Sequence, residues 1–329
     1  MNKYLFYPGC SMQKNAYSYL ESLMAIRPDL AIGLEEIEDW NCCGATEYWS
    51  VHQLKAHALV GRNLALAEQQ ANGSNTVVAG CSACYLNLAK TANYLEEDEL
   101  LRSQTDDALS AGGLHYTPGS LEVRHLLDII FNDVGLEKIR SKVVRPLTGL
   151  RIAPYYGCMI VRPDPDNRYG NPEYPTALDK LLEALGATVI DFPQKTHCCS
   201  GHMTQISPDV AYELLHRLIS GADRYEADMM VTLCPMCQLN LDVYQGDMNS
   251  HMDTDYHMPC LYFTQLMGLA FGYDPEELGI GKEFVNAGPA LAKIGVEVPV
   301  AEEEPKRRPR RKKKQEGLPM PQMGEEDGK

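Results

Sequence analysis

No run of eighteen or more apolar residues occurs in this 329-residue chain, so no ordinary transmembrane helix is expected. The start lacks the apolar stretch of a signal peptide, because Met1-Asn2-Lys3 leads into only Tyr4-Leu5-Phe6-Tyr7 before Pro8. The expected setting is therefore the cytoplasm. Positive charge is in short supply: 30 Lys and Arg stand against 45 Asp and Glu, a net charge of −15 that argues against a nucleic-acid-binding body. No G-x-G-x-x-G pattern marks a flavin or nicotinamide site. Tryptophan is scarce as well, with only Trp40 and Trp49, which flank one cysteine pair and are read as packing that shields it from water. Cysteine is not scarce. Of 11 residues, ten fall into a pattern, and in a reducing compartment patterned thiols point to metal ligands rather than disulfides.

The pattern centres on two adjacent cysteines, Cys42 and Cys43, followed by Gly44. Neighbouring side chains on an extended backbone point to opposite faces, and a disulfide between neighbours is strained. A tight turn that aims both sulfurs at one object larger than a single ion explains the pair, with Gly44 giving the backbone its freedom. The device returns at Cys198 and Cys199, where Ser200 stands before Gly201. Upstream lie Tyr7-Pro8-Gly9-Cys10 and Tyr155-Tyr156-Gly157-Cys158; downstream, Cys81 and Cys84 match Cys234 and Cys237 in the shared string C-x-x-C-x-L-N-L. The second copy follows the first by 148, 156 and 153 residues at these three places. So steady a displacement is an internal duplication, five cysteines to a half.

Apolar patterning places these cysteines at the ends of strands. Residues 3–7 read as a buried strand before Cys10, 16–25 as a helix stopping short of Pro28, and 34–40 as a strand delivering the pair. Residues 47–70 read as one helix with Val51, Leu54, Ala58, Val60 and Leu64 inward, and 76–79 as a strand turning at Cys81 into a helix. The charged and Gly-containing stretch 96–119 and an apolar helix at 121–131 read as the end of the first half and its linker. The second half repeats the grammar, with strands at 150–156, 188–192 and 229–233, helices at 176–185 and around 210–219, and a closing helix at 260–271. Strands ending in cysteine, each followed by a helix, imply an α/β fold of two similar Rossmann-like domains, with sites at the carboxyl edges of the sheets facing the domain interface. The expected boundaries are 1–148, 149–300 and a disordered charged tail at 301–329.

Counting addresses the ligand. Structural zinc takes four ligands, and five per half is one too many. Disulfides leave an odd thiol in each half. An iron–sulfur cluster is held by several thiolates, and the count favours it over both.

With these residues in view, the duplicated C…CC-G…C-x-x-C pattern resembles the cysteine-rich CCG domain of the HdrB-like family, named for the B subunit of heterodisulfide reductase, over residues 1 to 272. The resemblance implies two noncubane [4Fe–4S] clusters that together reduce, or reversibly form, a disulfide on a small or carrier-bound substrate. Cys10, Cys42, Cys43, Cys81 and Cys84 would hold one, and Cys158, Cys198, Cys199, Cys234 and Cys237 the other. Ser200 is the departure from the strict motif. The resemblance also implies two partners, a ferredoxin-like iron–sulfur subunit and a flavin-bearing one. A second implied class is an electron-transfer subunit of a flavin-dependent glycolate or lactate oxidase, or of a succinate dehydrogenase-type complex. A metal-stapled scaffold working through its basic tail is a third, disfavoured by the acidic body and the five-thiol count.

The remaining residues carry weaker signals. His197 and His202 flank the second pair and are candidates to protonate a leaving thiolate, set against an ordinary structural histidine. Cys260 fits neither set and reads as a buried spare thiol. Arg162 and Arg168 are weighed between an anionic substrate and a solvated loop, the latter preferred. The basic run 306–314 reads as a solvated tail.

Overall fold

The computed structural model describes residues 2–45, 48–161 and 168–298. Arg162, the basic run 306–314 and the expected tail lie outside the described residues. Four strands, β1 (Asn2–Tyr7), β2 (Ile32–Glu36), β3 (Thr76–Ala79) and β4 (Glu122–His125), form a parallel sheet in the order β2-β1-β3-β4. β5 (Arg151–Tyr155) opens the second half, followed by a small antiparallel hairpin of β6 (Gly170–Asn171) and β7 (Tyr174–Pro175). Then come β8 (Thr188–Val189), β9 (Met229–Thr232) and β10 (Cys260–Tyr262), which join β5 in a second parallel sheet ordered β10-β9-β5-β8. Apart from the hairpin, the two windings are the same, and the fold is a duplicated Rossmann-like α/β arrangement.

That winding positions the cysteines. In each sheet the chain goes out to one edge strand, β2 or β8, and then crosses back over its first strand. The strand order therefore reverses between β1 and β3, and between β5 and β9, and the crevice at the carboxyl ends of such strands is where α/β sheets build sites. Cys10 follows β1 and Cys81 follows β3; Cys158 follows β5 and Cys234 follows β9. The strands themselves are buried on both faces, as helix-covered parallel strands are: all of Met229–Thr232 is buried, as are the last four residues of β1.

Several elements depart from the sequence reading. The helix expected at 16–25 runs Tyr17–Leu30 and carries Pro28 inside it. A proline in the last turn forgoes one hydrogen bond, and the helix retains the burial of Ile26 and Leu30 in exchange. β2 starts earlier, at Ile32, and stops at Glu36, so an irregular segment delivers the cysteine pair. The expected single helix at 47–70 is two, Tyr48–Val51 and Gln53–Gln69, broken at an extended His52 whose ring accepts the Lys55 N–H. Val51 consequently faces outward, 76% exposed. The stretch read as linker instead completes helix Ser82–Glu97 and forms helix Glu99–Ser110. The helix expected at 121–131 is β4 followed by a short helix and a π-helical segment, Ile129–Val134. Likewise the closing helix expected at 260–271 begins with three residues of β10.

Both sheets lie within one compact unit. Helix Tyr17–Leu30 of the first half packs on Phe263–Phe271 of the second, with Ser22 and Thr264 sharing a buried 2.7 Å hydrogen bond. Reciprocally, Leu136–Lys142 of the first half packs on Ala177–Ala184 of the second.

Candidate metal centre

Each quintet of cysteines is assembled by three braces, and the same three occur in both halves. Tyr7, ending β1, donates its hydroxyl at 2.6 Å to the carbonyl of Asn41, the residue before the cysteine pair; Tyr155, ending β5, does the same to His197 at 2.6 Å. Gly9 and Gly157, each just before the lone cysteine, have φ of +72° and +69°, and a Cβ on them would come within 2.8 Å of Cys84 Sγ and 2.9 Å of Cys237 Sγ. Any side chain there would displace the second sulfur of C-x-x-C. Finally, Asn87 Nδ2 donates to the carbonyls of Cys43 (2.9 Å) and Ala45 (2.7 Å), and Asn240 Nδ2 to those of Cys199 (2.9 Å) and Gly201 (2.7 Å). Each asparagine stands three residues after a C-x-x-C sulfur on the same helix, so one string supplies both a cysteine of the quintet and its brace.

The turn after the pair resolves the odd placement of Gly201. Gly44 and Ala45 have φ of +75° and +43°, and Ser200 and Gly201 have +77° and +57°. Both copies thus take two consecutive left-handed residues, with glycine first in one and second in the other. Ser200 occupies the place of Gly44 and leaves the turn intact, at a strain of order 1–2 kcal/mol that an L side chain bears there. Its hydroxyl lies 3.4 Å from Asn240 Nδ2.

The sulfurs fall into an outer and an inner group. Cys10 and Cys42 are exposed, with Sγ atoms 3.9 Å apart; Cys43 and Cys84 are buried, 3.4 Å apart. In the second copy Cys158 contacts Cys198 at the surface, and Cys199 contacts Cys237 inside. The adjacent pair therefore straddles each site, one sulfur outward and one inward. Cys81 and Cys234 are the N-terminal caps of helices Ser82–Glu97 and Pro235–Val243, whose free N–H groups favour thiolate. These two meet each other across the seam between the halves, so the inner sulfurs form one continuous row.

Crowding sets the protonation. The Cys158 thiol draws Cys198 down to about 6, while the same contact pushes Cys158 up. Cys42 and then Cys84 hold Cys43 low, and Cys84 is raised by Cys43 in turn. Cys237 and then Cys81 hold Cys234 low, and Cys81 is raised by Cys234. Cys42 raises Cys10, and Cys199 raises Cys237. Thiols this close share protons; all of them ionise together only if cations are brought among them.

A cavity of about 460 Å³ opens over the first quintet, lined by all five of its cysteines and, from the second half, by His202, Gln205, Met236 and Leu239 among others. Lys14 is the one lysine or arginine on this wall among the described residues. Of the two histidine candidates, His202 is thus brought to the first quintet although it lies beside the second pair in sequence. His197 is exposed beside Cys198, and its part in the site is the carbonyl that Tyr155 holds. Cys260 is buried in β10, where burial raises its thiol pKa. Arg168 is neither solvated nor turned to a substrate: it pairs with Glu122 at 3.0 Å and buried Asp128 at 3.1 Å. Trp40 packs edge-on against Tyr7, and Trp49 against His57. The braces were present in the repeated strings as Tyr, Gly and Asn, and their equal spacing in both copies was the signal that could have found them.

Among the described residues, no three Cys, His, Asp or Glu side chains close round a point suited to one metal ion. Five thiols per site, inner and outer, fit a polynuclear iron–sulfur group better than a single zinc.

Comparison with known proteins agrees. Residues 4–89 and 152–242 each match the cysteine-rich domain family, CCG. The chain is 35% identical over 285 residues (87% of this chain, 98% of the relative) to the 8-methylmenaquinol:fumarate reductase membrane anchor subunit of Wolinella succinogenes. It is 32% identical over 298 residues (89% and 97%) to the B subunit of the ferredoxin:CoB-CoM heterodisulfide reductase of Methanosarcina mazei. Among solved structures, a hypothetical protein from Helicobacter pylori superposes with a TM-score of 0.68 at 13% identity, covering 87% of this chain and 52% of that one, a likeness of fold alone. The chain belongs to the family of duplicated cysteine-rich CCG domains that takes in the B subunit of heterodisulfide reductase.

Proposed function

We propose that this chain is the iron–sulfur catalytic subunit of a heterodisulfide reductase-like complex, acting on a disulfide at two noncubane [4Fe–4S] clusters. Cys10, Cys42, Cys43, Cys81 and Cys84 would hold one, and Cys158, Cys198, Cys199, Cys234 and Cys237 the other. The observation that carries the reading is the meeting of the two quintets at Cys81 and Cys234. Cleaving a disulfide takes two electrons, and iron–sulfur clusters supply them one at a time. The protein's own part is placement. Tyr7, Gly9 and Asn87, with their counterparts Tyr155, Gly157 and Asn240, fix the sulfurs. Lys14 offers positive charge to an anionic substrate, and His202 stands where it can move a proton at a substrate sulfur. Electrons would come from two partners, a ferredoxin-like iron–sulfur subunit and a flavin-bearing one, and reduced thiols suit a cytoplasmic setting.

The similarity to a fumarate reductase membrane anchor subunit favours a second reading, in which the chain relays electrons within a quinol- or succinate-linked complex. Among the described residues no helix is long and apolar enough to cross a membrane. Anaerobic protein loaded with iron and sulfide, then given a thiol under oxidising conditions, separates the two. A new paramagnetic signal that depends on the thiol supports disulfide chemistry; no response to any thiol or disulfide supports the relay.

A further inference from the structure

Behind Cys81 and Cys234 the two halves share one buried hydroxyl. Gly80 and Leu233, the residues just before those cysteines, stand just past the ends of β3 and β9. Tyr19, fully buried on helix Tyr17–Leu30, sets its hydroxyl 3.1 Å from the Gly80 carbonyl of its own half and 3.4 Å from the Leu233 carbonyl of the other. The ring is held by the second half, stacking on Tyr262 with centroids 4.4 Å apart and meeting Phe263 edge-on. One turn along the same helix, Ser22 makes a second polar bridge between the halves, to Thr264. Gly80 is tightly enclosed: a Cβ there would come within 2.6 Å of Met12 Sδ. His125 ends β4 as its counterpart Tyr262 ends β10. Its Nδ1 accepts the Leu127 N–H at 3.1 Å, which leaves the ring hydrogen on Nε2, beside the same two carbonyls.

Two buried carbonyls that face one point repel each other unless a donor stands between them. The cysteine after each of these carbonyls caps a helix and meets its counterpart across the seam. A donor that draws the carbonyls together therefore sets the gap between the two sites. We propose that Tyr19 is a positioning residue for both sites at once, its hydroxyl spanning the Gly80 and Leu233 carbonyls and so fixing the separation of the groups that Cys81 and Cys234 hold. This rests on the cluster reading. The duplication gives Tyr19 no twin. Asp179, third in helix Ala177–Ala184 as Tyr19 is third in its own, binds Tyr156 and Lys195 within the second half instead.

The test is EPR of anaerobic full-length protein, wild type, Tyr19→Phe and Tyr19→4-aminophenylalanine, poised so that both sites are paramagnetic, with iron counted in each. Interaction between two spins falls steeply with their separation. Removing the hydroxyl is therefore expected to narrow the splitting that each cluster impresses on the other, while the iron content stays at the wild-type value. The 4-amino group, which retains an N–H donor, should restore the splitting. The proposal is overturned if the wild type shows no mutual splitting, or if Tyr19→Phe leaves it unchanged or loses iron from one site alone. A splitting that the amino group does not restore overturns it as well. Should Tyr19→Phe lose iron from both sites or fail to fold, anaerobic crystals of the wild type decide. The Tyr19 oxygen is expected to lie within hydrogen-bonding distance of both carbonyls with iron at both sites, and its withdrawal from either carbonyl overturns the proposal. An iron-free wild type would defeat the cluster reading instead.

Discussion

One amide group, Asn87 Nδ2, holds two carbonyls of the turn that carries Cys42 and Cys43, and Asn240 Nδ2 holds the matching two. Removing either leaves buried carbonyls short of a donor, at about 1–3 kcal/mol. Asn87→Ala should therefore lower the denaturant midpoint and the iron bound at the first site; Asn240→Ala should do so at the second, as iron analysis of each variant will show. Glycine gives a prediction of opposite signs. Gly44→Ala should cost about 1–2 kcal/mol because its φ is +75°, whereas Ser200→Gly should be tolerated, as the serine already bears that strain. Neither sign was legible in the sequence, where Gly201 looked displaced; only the backbone shows two left-handed residues in both copies. His57 supplies the pH dependence. It is buried between Trp49 and Tyr94 with no hydrogen-bond partner, and burial, then the charge of Lys90, lowers its pKa to about 4. The unfolded chain binds this proton first, near 6.5, so stability is fully present above that value and declines as pH falls toward 4, by up to about 3 kcal/mol. Equilibrium unfolding across this range should show the decline, and His57→Phe should flatten it.

Among the elements, the strands ending in cysteine were readable because short buried runs stop at a turn residue; β3 lies where the sequence placed it. β4 and β10 were not. Glu122–His125 runs directly into Leu126–Asp128, and Cys260–Tyr262 into Phe263–Phe271, with no turn residue between. An unbroken apolar run does not distinguish a strand feeding a helix from a helix alone, and pairing with β3 or β9 decided the matter. The contact between the halves was also invisible, since Ser22 and Thr264 lie far apart in the chain. Their buried 2.7 Å hydrogen bond gives a double-mutant cycle. Ser22→Ala alone should cost about 1–2 kcal/mol by orphaning the Thr264 hydroxyl, and Thr264→Val less, because the Ser22 hydroxyl still donates to the Tyr19 carbonyl at 3.0 Å. The double variant should recover part of it, with a coupling near 1 kcal/mol in chemical unfolding.

For the whole molecule, duplication does more than double a set of five cysteines. The same winding in both halves puts both quintets at carboxyl strand ends, and the packing of Tyr17–Leu30 on Phe263–Phe271 brings those ends together. Cys81 and Cys234 meet there, and His125 and Tyr262 stand behind them as counterparts. The ten cysteines and their division into two groups of five were evident from spacing alone. That the second half's His202 helps wall the cavity over the first quintet was not, because a cavity wall between halves leaves no periodic trace. The most direct measurement is anaerobic iron and acid-labile sulfide content in the wild type, Cys84→Ser and Cys237→Ser. The account predicts about eight irons and about eight sulfides per wild-type chain, two [4Fe–4S] groups, with roughly half lost in each variant. A colourless, iron-free protein after reconstitution, or iron that neither substitution reduces, would contradict it.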